Sequence, residues 1–204
     1  MKKLLIIALL MMIGTAHACT SRNILLIGQS NAVYLSKLDL ATLWGTQDCP
    51  ATIFTSVRGG TGIAMFMPSW STASLYGRTS AAIEYAGVKL DLIVFWQGEQ
   101  DAKTAKDTIA WPGLATQVLQ SYRTEYGETK DIPIFIFALN DKHKLREAVT
   151  PFWLHIRNRQ ISMQRKGITI IDTRGYEFKP DLVHLTDNGY MQAANDVARL
   201  ICNQ

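Results

Sequence analysis

The chain has 204 residues, 48% of them hydrophobic and 19% charged, with a formal net charge of +4. That balance excludes a disordered or collagen-like chain, and so weak and scattered a charge excludes a nucleic-acid binder built on a basic face. Three cysteines in this length exclude a small scaffold held together by disulfides.

The N-terminus reads as a targeting segment. Lys2 and Lys3 precede ten apolar residues, Leu4 to Ile13, then Gly14, Thr15 and Ala16-His17-Ala18. A basic start, a short apolar run and a small-x-small site predict a secretory signal peptide over residues 1–18. The run is too short for a bilayer span, which takes about 20 residues. The expectation is a secreted or periplasmic protein with no stable membrane insertion once the signal is removed. Cleavage after Ala18 would leave Cys19 first, the position that carries lipid in lipoproteins. Ala16 stands where such sites usually have Leu, which favours the soluble form.

Residues 19–204 suffice for one domain with one core. The leader contributes two lysines and no acid, so the remainder is near +2 of the +4 total. In an oxidising compartment Cys19, Cys49 and Cys202 imply one disulfide and one leftover thiol, with three pairings open. No Cys-x-x-Cys or His-x-x-x-His spacing occurs, so neither metal nor other cofactor is expected.

Five short β-rich runs follow in order: Ile24–Ile27, Thr52–Val57, Leu92–Trp96, Ile134–Leu139 and Ile168–Ile171. None alternates cleanly, as suits strands buried on both faces of a parallel sheet. Helical patterns fall between them. Ala73–Gly87 is Ala-rich. Trp111–Tyr126 opens with Pro112, suited to a first turn. Lys144–Lys166 carries Pro151 as a break or restart. Asp187–Cys202 keeps Tyr190, Ala194, Val197 and Ile201 on one stripe, with Asp187 as the expected cap. Alternating strands and helices predict a single α/β domain, a five-stranded parallel sheet between helical layers. Residues 59–71 form the longest irregular stretch, a loop of the kind that lines a pocket.

In such a sheet, ligands bind beyond the carboxyl ends of the strands. Every candidate polar group falls there. Ser30 follows the first run, and Arg58-Gly59-Gly60-Thr61 the second. Gln97, Glu99 and Asp101 follow the third, and Asn140 and Asp141 the fourth. Asp181 and His184 lie between the fifth run and the last helix. Ser30 sits where a strand turns into a helix, so its hydroxyl can be exposed beside free backbone N–H groups. A serine hydroxyl is a weak nucleophile until a base takes its proton. A neutral imidazole does so when a carboxylate fixes its tautomer, and Asp181 three residues before His184 can reach it. The Gln97 amide and the N–H groups of Ser30 and Gly60, with Gly59 as the alternative to Gly60, are candidate donors to a developing oxyanion. Asp101 reads as an ordinary acid at a helix start. His143 and His155 read as surface residues of a basic helix.

Gly28-Gln29-Ser30-Asn31, Gly59-Gly60-Thr61, Trp96-Gln97-Gly98-Glu99-Gln100-Asp101 and Asp181-Leu182-Val183-His184-Leu185-Thr186, in this order, resemble the SGNH hydrolases. The nearest branch is the sialate O-acetylesterase and acetylxylan esterase group. The resemblance implies a flavodoxin-like SGNH fold with Ser30 as nucleophile, His184 as base and Asp181 as orienting acid. It implies an oxyanion hole of the Ser30 N–H, the Gly60 N–H and the Gln97 amide. Some members of the branch are thought to use the Glu of Gln-Gly-Glu in the triad, which keeps Glu99 as a supporting residue or rival acid. The implied substrate is an acetyl ester, small-molecule or glycan. Two rivals stand beside it: a short-chain lipid esterase or thioesterase on the same fold, and an inactive carbohydrate-binding protein. A Trp usually follows Gly-Gly-Thr closely in this branch. Here the first is Trp70, after Met65-Phe66-Met67-Pro68, which argues against a polymeric sugar. Trp70, Trp96 and Tyr76 are candidate sugar platforms.

Overall fold

The structure is a computed structural model that describes residues 21–129, 131–145 and 147–203. The expected signal segment and Cys19 lie outside the described residues. Five parallel strands form one sheet, β1 (Arg22–Gly28), β2 (Ala51–Val57), β3 (Leu92–Trp96), β4 (Ile134–Ala138) and β5 (Ile168–Asp172), in the order β2-β1-β3-β4-β5. Central β3 and β4 are buried along their whole lengths, which explains why their sequences do not alternate.

Successive side chains on each strand enter opposite cores. Leu25, Ile27, Ile93, Phe95, Ile134 and Ile136 face one core, with α3 (Leu75–Ala86), α4 (Ala105–Tyr126) and α5 (Thr150–Ser162). Ile24, Leu26, Val94, Trp96, Phe135 and Phe137 face the other, with α1 (Ser30–Leu35), α2 (Leu40–Trp44) and α6 (Asp187–Cys202). This is the expected three-layer α/β domain.

Three helix starts differ from the sequence expectation. The long α4 begins at Ala105, because the Thr104 hydroxyl accepts the Asp107 N–H at 3.1 Å. Pro112 therefore lies inside the helix rather than in its first turn. The cap of α6 is Thr186, whose hydroxyl accepts the Gly189 N–H at 3.1 Å, and Asp187 is the first helical residue. The basic stretch after β4 holds a short 3-10 turn, Glu147–Val149, before α5 starts with Pro151 in its first turn. His143 lies ahead of both, its ring packed 4.9 Å from that of Trp153 rather than on a helix face.

Cys49 is disulfide-bonded, whereas Cys202 at the end of α6 is free and exposed. Among the described residues no helix is long and apolar enough to cross a membrane. No cluster of His, Cys, Asp or Glu among them could hold a metal ion.

Candidate active site

The strand ends converge because two backbones approach closely. Gly28 closes β1 at φ 155°, and a Cβ there would sit 1.9 Å from the Trp96 carbonyl oxygen of β3. Only glycine fits, and the contact sets Gln29 and Ser30 beside the Gln97-Gly98-Glu99 turn. The Gln29 N–H donates to the Trp96 carbonyl at 3.2 Å. Ser30 opens α1, and no side chain caps that helix. Its first N–H groups thus lack an intrahelical partner.

His184 comes from the loop before α6. Its Nε2 lies 3.0 Å from Ser30 Oγ, and its Nδ1 lies 2.7 Å from Asp181 Oδ2. The other Asp181 oxygen accepts the N–H groups of Val183 and His184, each at 3.0 Å. Leu182 between them takes φ 55°, a left-handed conformation that costs a non-glycine residue about 1–2 kcal/mol. That bend folds the Asp-x-x-His segment tightly enough for the carboxylate to meet both the ring and the backbone. Burial pushes the Asp181 carboxyl up, but hydrogen bonds from the His184 ring and from the two N–H groups outweigh it. The carboxyl is held below its usual range.

Glu99 occupies a different place. It is 3% exposed, its Oε1 accepts from Asn31 Nδ2 at 2.8 Å, and its Oε2 has no partner among the described residues. Burial raises its carboxyl to about 7, against hydrogen bonds that favour the charge and the nearby His184. Asn31 ties the pieces together. It also donates to the Val183 carbonyl at 2.9 Å and accepts the Tyr190 hydroxyl at 2.8 Å. One side chain thereby joins the helix that Ser30 opens, the Glu99 turn, the His184 loop and α6.

A cavity of about 310 Å³ opens on this group. Ser30, His184, Asp181, Gly60 and Glu99 lie in its wall, together with Gln29, Gln100, Lys103, Leu145, Trp153 and Val183. Gly60 reaches it at φ 66°, a left-handed turn that suits glycine. Gly59 is exposed and is not in the wall. Gln97, the expected amide donor, is fully buried behind the wall, and its Nε2 donates to Asp101 Oδ2 at 2.5 Å. Asp101 opens a short 3-10 turn, Asp101–Lys103, as an acid at a helix start should, but it is buried. Of the expected sugar platforms, Trp96 and Tyr76 are core and Trp70 is 67% exposed; none lines the cavity. The aromatic that does is Trp153, whose Nε1 donates to the Asn140 carbonyl at 2.6 Å. Asn140 stands at the strand end as expected, its Nδ2 within 3.5 Å of the Leu182 carbonyl. Sequence reasoning missed Gln29, Asn31 and Trp153. The first two flank Ser30 at the strand end, which was the available signal. Trp153 sits on a helix far along the chain and gave none.

A five-stranded parallel sheet in this order, carrying its polar groups at the strand ends, is the three-layer fold of the SGNH-type hydrolases. The description "Carbohydrate esterase, sialic acid-specific acetylesterase" matches residues 40–203, and the chain belongs to that family of carboxylic ester hydrolases. Ser30 lies ten residues ahead of the matched span. No curated protein matches. Among solved structures, a protein from Arabidopsis thaliana superposes with a TM-score of 0.64 at 19% identity, over 81% of this chain and 65% of that one. A carbohydrate acetylesterase from Xanthomonas citri gives 0.63 at 15%, over 87% and 54%. The chain thus spans less than two thirds of the length of either. NanS gives 0.64 at 13%, over 92% and 99%.

Proposed function

We infer that the chain is an exported serine acetylesterase acting on O-acetylated carbohydrate, of sialate or xylan type, through Ser30, His184 and Asp181. The observation that carries this reading is the unbroken chain of contacts Asp181–His184–Ser30 at 2.7 and 3.0 Å, opening on one cavity. With its Nδ1–H held by Asp181, the ring presents a free Nε2 lone pair to the hydroxyl. Ser30 Oγ attacks the acetyl carbonyl while His184 takes its proton. The oxyanion is met by the N–H groups of Ser30 and Gly60. His184 then protonates the departing sugar hydroxyl. A water, deprotonated by His184 in turn, attacks the acetyl-enzyme, and His184 returns that proton to Ser30 Oγ as the Oγ–carbonyl bond breaks and acetate leaves. The ordered triad disfavours an inactive binding protein.

The test is acetate release from a panel of acetylated glycans, alongside synthetic esters of increasing acyl length. The expected outcome is a preference for acetyl over longer chains. Ser30→Ala and His184→Ala should each lower kcat by about 10³-fold or more, since the pair acts as a unit. Full activity in Ser30→Ala would overturn the reading, and preference for longer acyl chains would favour the lipid esterase. Export is checked by mass spectrometry of protein from its native host, where the chain should begin at Cys19. An intact Met1 on the localised protein would contradict it, and an added diacylglycerol would make it a lipoprotein.

A further inference from the structure

Two side chains of the third motif, Gln97 and Asp101, do not line the cavity. Trp111 Nε1 donates to Gln97 Oε1 at 2.5 Å, which fixes the amide with its nitrogen toward the loop after β2. That nitrogen meets Asp101 Oδ2 at 2.5 Å and the Thr61 carbonyl at 3.4 Å, so both of its hydrogens point at protein. Both carboxylate oxygens of Asp101 lie 3.0 Å from the Ile63 nitrogen and accept its N–H. A Cβ on Gly62 would sit 2.9 Å from Asp101 Oδ1, so the loop lies flat against the carboxylate. Residues 61–63 are thus strapped to the end of β3 by two buried side chains. The next residue upstream, Gly60, lies in the cavity wall with Ser30.

We propose that Gln97 and Asp101 are positioning residues, a clamp that sets the Gly60 N–H opposite Ser30, and that the Gln97 amide does not touch the substrate. The clamp rests on the esterase reading above. Its physical logic is that an oxyanion donor must stand within about 0.5 Å of its place, which a glycine turn cannot do unaided. The buried amide–carboxylate pair supplies that rigidity while leaving donation to the oxyanion to backbone N–H groups.

Exchanging the two groups separates the clamp from direct donation. In Gln97→Glu two carboxylates face each other, and in Asp101→Asn two amides do. Each should lower kcat on 4-nitrophenyl acetate by about 10- to 1,000-fold, the range for losing one oxyanion donor, with KM changed less than threefold. In the double variant Gln97→Glu/Asp101→Asn, the carboxylate at position 97 still accepts the Trp111 N–H and now accepts from the amide at position 101. The oxygen of that amide still takes the Ile63 N–H. The clamp predicts recovery above either single variant but short of the parent, because a donor again faces an acceptor between the two side chains while the long contact to the Thr61 carbonyl is lost. No recovery beyond the Gln97→Glu level overturns it, since a carboxylate cannot replace an amide that donates to an oxyanion.

A second measurement uses the unaltered protein and does not depend on variants folding. Ser30 is labelled with a serine-reactive phosphonate, whose oxygen stands in for the oxyanion, and amide NMR spectra are compared. The Gly60 N–H should shift strongly and the Gln97 side-chain amide little. A Gln97 shift as large as that of Gly60, or an unmoved Gly60, overturns the clamp. Failure of the phosphonate to label Ser30 at all instead overturns the esterase reading.

Discussion

Asp181 reaches His184 from the neighbouring turn, half-exposed, with its charge steadied by the ring and two N–H groups. Glu99 is buried beside Asn31, and that burial raises its carboxyl to about 7. Asp181 is the carboxylate in contact with the His184 ring, so under the proposed mechanism Asp181→Asn is expected to lower kcat by orders of magnitude. Glu99→Gln keeps an acceptor for Asn31 and is expected to cost at least tenfold less; steady-state kinetics on the two variants checks this, and the reverse order would move the acid assignment to Glu99. Glu99 also fixes a pH dependence of stability. Its folded pKa is raised, so its contribution is fully present below the unfolded value of about 4.3 and is lost as pH rises through about 7. Glu99→Gln should therefore raise the Tm relative to the parent at pH 8 and leave little difference at pH 4. A gap that widens toward acid would contradict the assignment.

At the scale of elements, α6 delivers the loop that carries His184. Its buried stripe of Tyr190, Ala193, Ala194, Val197 and Ile201 packs into the core on the side of α1 and α2. The Trp44 Nε1 donates to the Ala194 carbonyl at 3.0 Å and fixes its roll. Its first turn depends on Thr186, two residues after His184. Thr186→Ala removes the acceptor for the Gly189 N–H and should cost about 1 kcal/mol, read as a lower urea midpoint with unchanged m. Activity should fall only modestly, because Asp181 and the backbone bonds of residues 177–186 still define the loop. A loss as large as that from Asp181→Asn would mean that the cap, rather than the Asp181 turn, positions the imidazole.

For the whole molecule, both cores are built on the same five strands, so neither can open without exposing the other face of the sheet. Unfolding in urea, with the disulfide at Cys49 intact, should be one transition seen alike by tryptophan fluorescence and far-UV circular dichroism. Ser30→Ala should leave that transition in place, since Ser30 touches His184 at the surface of the cavity and supports neither core. Two separated transitions would show that the layers are independent units.

Local chemistry carries the parts that the sequence determined by itself. Five apolar β-rich runs separated by helical patterns dictate a parallel sheet covered on both faces, and parallel crossovers bring every post-strand residue to one end. That Ser30, Asp181 and His184 would meet was legible because the turn after a strand and the three-residue spacing act locally. The tertiary structure alone decided what surrounds them. The spacing of Glu99 does not show that burial beside Asn31 raises its carboxyl to about 7. The motif order does not show that Trp111, fourteen residues on, turns the Gln97 amide toward Asp101 and away from the cavity. Trp153 became a cavity wall only when α5 packed across the end of β4. Burial and amide orientation are set by neighbours distant in sequence, and no local pattern encodes them.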